Sequence, residues 1–125
     1  MDPKGKQVFI IATFGPERPD RCTAPFFFAQ KAASMGAEVE ICFILHSALL
    51  LKKGIAETVC VREGGRTARQ FLDIALGSGV VLHACDAALK MNDMTPDDLI
   101  DEVDSLVGPN FLITRGLDAD LVLNL

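Results

Sequence analysis

The chain has no tryptophan and no tyrosine, which leaves 8 phenylalanines to do any base stacking that nucleic acid would require. Positive charge is also short. Twelve basic residues face seventeen acidic ones, and the net charge of −5 repels a phosphate backbone rather than neutralising it. With only 6 prolines and 10 glycines, the composition excludes a collagen-like repeat and a low-complexity tail. No apolar tract approaches the roughly 20 residues of a membrane span. The longest, 41–51, is interrupted by His46 and Ser47. Lys4 and Lys6 precede an apolar run at 8–14, but it is short and enters Gly15-Pro16-Glu17-Arg18 without a small-residue cleavage site. That run is expected to be a buried strand. Neither GxGxxG nor Gly-Lys-Ser/Thr occurs, so no nucleotide cofactor is expected. The four cysteines lack CxxC spacing and come without a secretory signal, so they are expected to be thiols in a reducing cytoplasm.

What is present is a core-forming sequence. Half the residues are apolar. A chain of this length buries about two-thirds of its unfolded surface, so one domain over 1–125 is expected. Strand and helix patterns alternate. The run at 8–14 is nearly all apolar, as in a strand covered on both faces. Thr23 and Pro25 suit a helix start, Phe27, Phe28, Ala32 and Met35 give that helix an apolar side, and Gly36 suits its end. A second strand is expected over 38–45, a short helix over 47–53 and an extended connection over 57–61. Ala68, Phe71, Leu72, Ala75 and Leu76 recur at helical spacing, and Gly77 and Gly79 close that helix. A third strand covers 80–84 and leads through Cys85 into a helix over 86–91. Thr95-Pro96-Asp97-Asp98 has the chemistry of a helix start. A short strand over 105–107, a helix from Pro109 to Gly116 and a closing strand over 120–125 complete the pattern.

This alternation implies an α/β fold: a flavodoxin-like three-layer domain with a mainly parallel five-stranded sheet. The strand order 2-1-3-4-5 would open a crevice at the carboxyl ends of strands one and three. Loop 15–22 and the turn carrying Cys85 would meet there. Cys85 leads the candidates, because a strand end that opens a helix can stabilise a thiolate. The plainer reading is a small packed apolar residue. Cys22 would share the same sheet edge as a resolving thiol, a relay partner or an ordinary loop residue. Arg18 and Arg21 in that loop can attract an anion or lower a thiol pKa. His83 lies two before Cys85 and would share its face, while His46 follows the second strand; either is a candidate base or metal ligand. A zinc site from Cys22, Cys85, His46 and His83 lacks supporting spacing, so no metal is expected. Cys42 and Cys60 read as packing residues. Loop 15–22 offers prolines and arginines where a flavin phosphate loop is rich in Ser, Thr and Gly, so flavin is unsupported.

The segment Gly79-Val80-Val81-Leu82-His83-Ala84-Cys85-Asp86-Ala87-Ala88-Leu89 resembles the cysteine-bearing stretch of the DsrE/DsrF-like family of sulfur-relay proteins. The resemblance extends through Met94 to Ile100, Asp118 to Val122 and Met35 to Val39. It implies a flavodoxin-like domain that assembles into homo-oligomers, often trimers or hexamers. Active members accept sulfane sulfur as a cysteine persulfide and hand it to a small carrier protein. Carried over, Cys85 takes the persulfide-bearing position, and Cys22 has no firm counterpart. The expectation is therefore a cytoplasmic persulfide carrier, a possible sulfurtransferase, whose partner is a carrier or acceptor protein with a reactive cysteine. Two other readings stand beside it. One is a non-catalytic assembly module with 121–125 at a subunit interface; the other is a small-ligand binder at the strand one/strand three crevice.

Overall fold

The computed structural model describes residues 2–125. The apolar runs form five strands, β1 (Gln7–Ala12), β2 (Glu38–Phe43), β3 (Val81–Cys85), β4 (Ser105–Val107) and β5 (Leu121–Asn124). Between them lie helices α1 (Ala24–Ser34), α2 (Ala68–Gly77), α3 (Asp86–Met91) and α4 (Pro109–Asp118). Every strand pairing is parallel, and helices cover both faces, so the expected three-layer flavodoxin-like α/β class holds. Among the described residues, no helix is long and apolar enough to cross a membrane.

The strand order differs from expectation. It is β4-β3-β2-β1-β5, not 2-1-3-4-5. The three longer, well-buried strands β1, β2 and β3 hold the centre, and the short, exposed β4 and β5 take the edges. Short edge strands limit the unpaired backbone a sheet presents. From β1 to β4 the chain steps in one direction across the sheet, and from β4 to β5 it returns. Right-handed crossovers therefore put α1, α2 and α3 on one face and α4 on the other. The packing agrees. Val8, Ile10, Ile41, Phe43 and Leu82 share one core cluster with Phe26, Leu72 and Leu89, residues of the first three helices. Phe9, on the opposite face of β1, meets Phe111 of α4 edge to face, with ring centroids 6.2 Å apart.

Local signals had mixed fates. Thr67 and Gln70 form a reciprocal capping box at the start of α2. Pro25 sits in the first turn of α1, but Thr23 is helical itself and makes no side-chain cap. Thr95 and Asp98 form a capping box around a single 3-10 turn, Pro96–Asp98. No α-helix follows, because Leu99 bridges to Lys52 and the Ile100 N–H donates to Leu51 O at 2.9 Å. The short helix expected over 47–53 is a 3-10 segment, Leu45–Leu51.

Candidate functional site

Strand alternation places Val81, His83 and Cys85 toward α4, and Leu82 and Ala84 toward the core on the other face. Cys85 ends β3 with extended backbone, φ −78° and ψ 127°, and Asp86 begins α3. Its strand partner is Val107, the last residue of β4. From these two adjacent ends the chain parts. β3 leads to α3 on the core face, whereas β4 turns through Gly108 and Pro109 into α4 on the opposite face. Such a parting of loops opens a crevice at the carboxyl ends of parallel strands. Here it lies between β3 and β4, not between strands one and three as the expected order required. A cavity of about 250 Å³ occupies it. Cys42 and Cys85 supply its two thiols, and Ile44, Leu45, Ala87, Ala88, Met91 and Leu112 supply most of its wall.

The two thiols differ in setting. Cys85 is half-buried and Cys42 fully buried. Burial pushes the Cys42 thiol up from 9.0 to about 12, with smaller contributions from Cys85 and Glu40, so it stays protonated at neutral pH. Cys85 is thus the more accessible thiol of the pair. Cys22 lies elsewhere. It is buried in the main core, 1% exposed, and burial raises its thiol from 9.0 to about 11. It follows the loop after β1, and β2 stands between β1 and β3, so the sheet does not bring it beside Cys85. Cys60 is half-buried and pairs with Thr67 in a local antiparallel bridge.

His83 shares the face of Cys85 but is engaged by other groups. Its Nε2 lies 2.7 Å from Glu40 Oε1, and its Nδ1 lies 2.5 Å from Ser105 Oγ. Phe111 packs on the imidazole at 4.6 Å between centroids, and Arg115 Nε holds the other Glu40 oxygen at 3.2 Å. This network pins α4 to the sheet. Arg18 is also occupied. It forks onto the Asp20 carboxylate at 2.9 and 3.0 Å, and this bond raises the pKa of Arg18 and lowers that of Asp20. Arg18 and Arg21 both lie over the Phe14 ring, about 5.5 and 5.4 Å from its centroid.

His46 takes part in an arrangement that no sequence pattern signals. Its Nδ1 lies 3.1 Å from Asn92 Oδ1, and Asn92 Nδ2 donates to Leu45 O and Ala88 O at 2.9 and 2.7 Å. One side chain thereby ties the end of β2 to α3. Leu45 has φ +53°, a left-handed conformation that costs a bulky residue roughly 1–3 kcal/mol. The surroundings enforce it. The Ile44 N–H donates to Ala12 O at 3.0 Å, and the Ser47 hydroxyl sits within hydrogen-bond distance of the Ala12 and Ile44 carbonyls. Gly15 approaches the His46 carbonyl so closely that a Cβ there would collide with it. The strained Leu45 side chain, half exposed, lines the Cys85 cavity and also a second hollow bounded by Thr13, Phe14 and Leu125. Strain held in place this way recurs at functional sites.

A family model, that of the DsrE/DsrF-like family, matches residues 6–125. Among solved structures, the ychN protein from E. coli superposes with a TM-score of 0.79 at 17% identity, covering 96% of this chain and 99% of that one. A protein of unknown function from Methanobacterium thermoautotrophicum superposes with a TM-score of 0.65 at 16% identity, over 98% of this chain and 100% of that one. At these identities the likeness is one of fold. No curated protein matches.

Proposed function

The chain belongs to the DsrE/DsrF-like family, and on that premise we propose that it carries sulfane sulfur as a persulfide on Cys85 and hands it to the thiol of an acceptor protein. The observation that carries the reading is the half-buried Cys85 thiol in an open cavity where the β3 and β4 connections part. Cys22 and Cys42, by contrast, are buried thiols of raised pKa. In the loading step the Cys85 thiolate attacks a sulfane sulfur. The donor's S–S bond breaks, its leaving group departs with the electron pair, and Cys85–S–S⁻ remains. In the second step an acceptor thiolate attacks the outer sulfur, and Cys85 leaves as thiolate. No external oxidant or reductant is consumed. The partner is thus a carrier or acceptor protein whose cysteine reaches the rim of the cavity. All four cysteines are free, as this chemistry needs, and a reducing cytoplasm keeps them so.

The same reading has the chain work as a homo-oligomer, a trimer or hexamer. Ile113 and Leu117 on α4 and Leu121 and Val122 on β5 are exposed, Leu117 by 82%. A second copy of the chain is the occupant that the family resemblance supports for these exposed apolar side chains.

Intact-protein mass spectrometry after incubation with inorganic polysulfide tests the carrier role. The native chain should gain sulfur atoms that reductant removes, and Cys85→Ser should gain none while keeping its circular dichroism. Equal gain in Cys85→Ser would move the role to another thiol. No gain in either would leave the assembly module as the surviving reading. A ligand site between strands one and three has no place in the observed order, because β2 separates them.

A further inference from the structure

We propose that the Cys85 cavity selects uncharged sulfane-sulfur donors, the chemistry of an elemental-sulfur ring, over anionic donors such as thiosulfate. The inference rests on Cys85 being the sulfur-accepting thiol and adds the class of molecule that loads it.

The wall of the cavity is the argument. Ile44, Leu45, Ala87, Ala88, Met91 and Leu112 present hydrocarbon and a thioether, and among the described residues no charged or hydroxyl side chain lines the space. The thiols of Cys85 and Cys42 are its polar side-chain atoms, and burial keeps Cys42 neutral. An oxyanion entering here would shed its hydration shell and meet no charged or hydroxyl side chain in return. Three arginines are engaged elsewhere. Arg18 holds Asp20 while lying, like Arg21, over Phe14, and Arg115 holds Glu40. Asp86, exposed and next to Cys85 in the chain, is a carboxylate and offers an oxyanion no attraction. A neutral sulfur ring meets the opposite conditions. It loses little hydration on entry, and its polarisable sulfur atoms suit the Met91 thioether and the aliphatic wall. Leu45 and Met91, each about half exposed, give the entrance an apolar rim.

The chemistry closes without a co-reactant. The Cys85 thiolate attacks one ring sulfur, and a new S–S bond forms as the ring S–S bond breaks. The electron pair passes to the displaced sulfur, which becomes the anionic end of a linear chain on Cys85. No atom leaves, and the charge moves outward along the chain toward solvent. With thiosulfate the corresponding step releases sulfite, so both a dianion and its anionic leaving group must pass through an apolar space.

The test measures initial rates of sulfur gain on Cys85 by intact mass, with elemental sulfur and with thiosulfate at equal sulfane concentration. Each rate is divided by that for free cysteine, which removes the donor's intrinsic reactivity. The normalised ratio should favour elemental sulfur by about tenfold or more. Leu112→Arg places a cation in the wall and should shrink the ratio by raising the thiosulfate rate, whereas Leu112→Met should leave it unchanged. A native ratio near one, or one favouring thiosulfate, with Cys85 loaded in both cases, overturns the donor class and spares the carrier role. A Cys85 that takes sulfur from neither donor nor from polysulfide overturns both.

Discussion

On the face covered by α1 and α2, strands β1 to β3 present Val8, Ile10, Val39, Ile41, Phe43 and Leu82, all 6% exposed or less. On the face covered by α4 the same strands present Phe9, Glu40, Cys42, His83 and Cys85, a mixed set of an aromatic ring, ionisable groups and thiols. The helices differ as well. Leu72 and Ala75 of α2 are fully buried, whereas no residue of α4 is buried. One face is therefore a closed hydrocarbon core, and the other is a thin layer held by the His83–Glu40–Arg115 network and the Phe111 contacts. The division teaches where chemistry has room in this fold. The closed face supplies the rigidity, and the carboxyl end of the open face leaves the Cys85 thiol half-buried at a cavity.

The largest effect on stability should come from the closed face. Leu72→Ala removes a fully buried side chain from the main cluster and should cost about 2–5 kcal/mol, read from the midpoint of urea unfolding. On the open face, Glu40→Ala strips His83 Nε2 and Arg115 of a shared partner. Its expected cost is about 1–3 kcal/mol, the penalty for leaving part-buried polar groups unsatisfied. Sulfur loading on Cys85 should persist in this variant, because the network holds α4 and does not contact the thiol. If Glu40→Ala proves as costly as Leu72→Ala, the open face is a second core and the comparison fails.

The contrast between faces explains what the sequence made legible. The long apolar runs of β1, β2 and β3 identify the strands, and the abrupt passage from Ala84 and Cys85 into a helix places Cys85 at the junction of β3 and α3. Strand neighbours were not legible, because parallel pairing is set by crossovers rather than by local pattern. Cys22 looks like a loop thiol by its position between prolines and arginines, yet the loop folds its side chain into the main core. His83 looks free to act as a base, but its partners Glu40 and Ser105 lie 43 and 22 residues away and meet it only across the sheet. Leu45 carries no mark of its left-handed backbone, which arises from Ala12, Ser47, Asn92 and Gly15 converging on one turn. Thr95-Pro96-Asp97-Asp98 shows the converse, a strong local signal cut short by the pairing of Leu99 with Lys52.

The smallest effect on the folded chain should accompany a large change in its assembly. Leu117 is 82% exposed near the end of α4, so Leu117→Asp removes almost no packing within one chain. Its expected cost to chain stability is within about 0.5 kcal/mol, as for a surface substitution. If a second copy covers this side, the aspartate brings an unpaired charge into an apolar contact, and native mass spectrometry should register a shift from oligomer toward single chains. Cys85 should still load with sulfur, since its cavity lies at the carboxyl ends of β3 and β4 and does not include Leu117. An unchanged oligomer would place the contact elsewhere. A loss of loading together with assembly would mean that a neighbouring copy completes the thiol site, and the open face would then be functional only when shared.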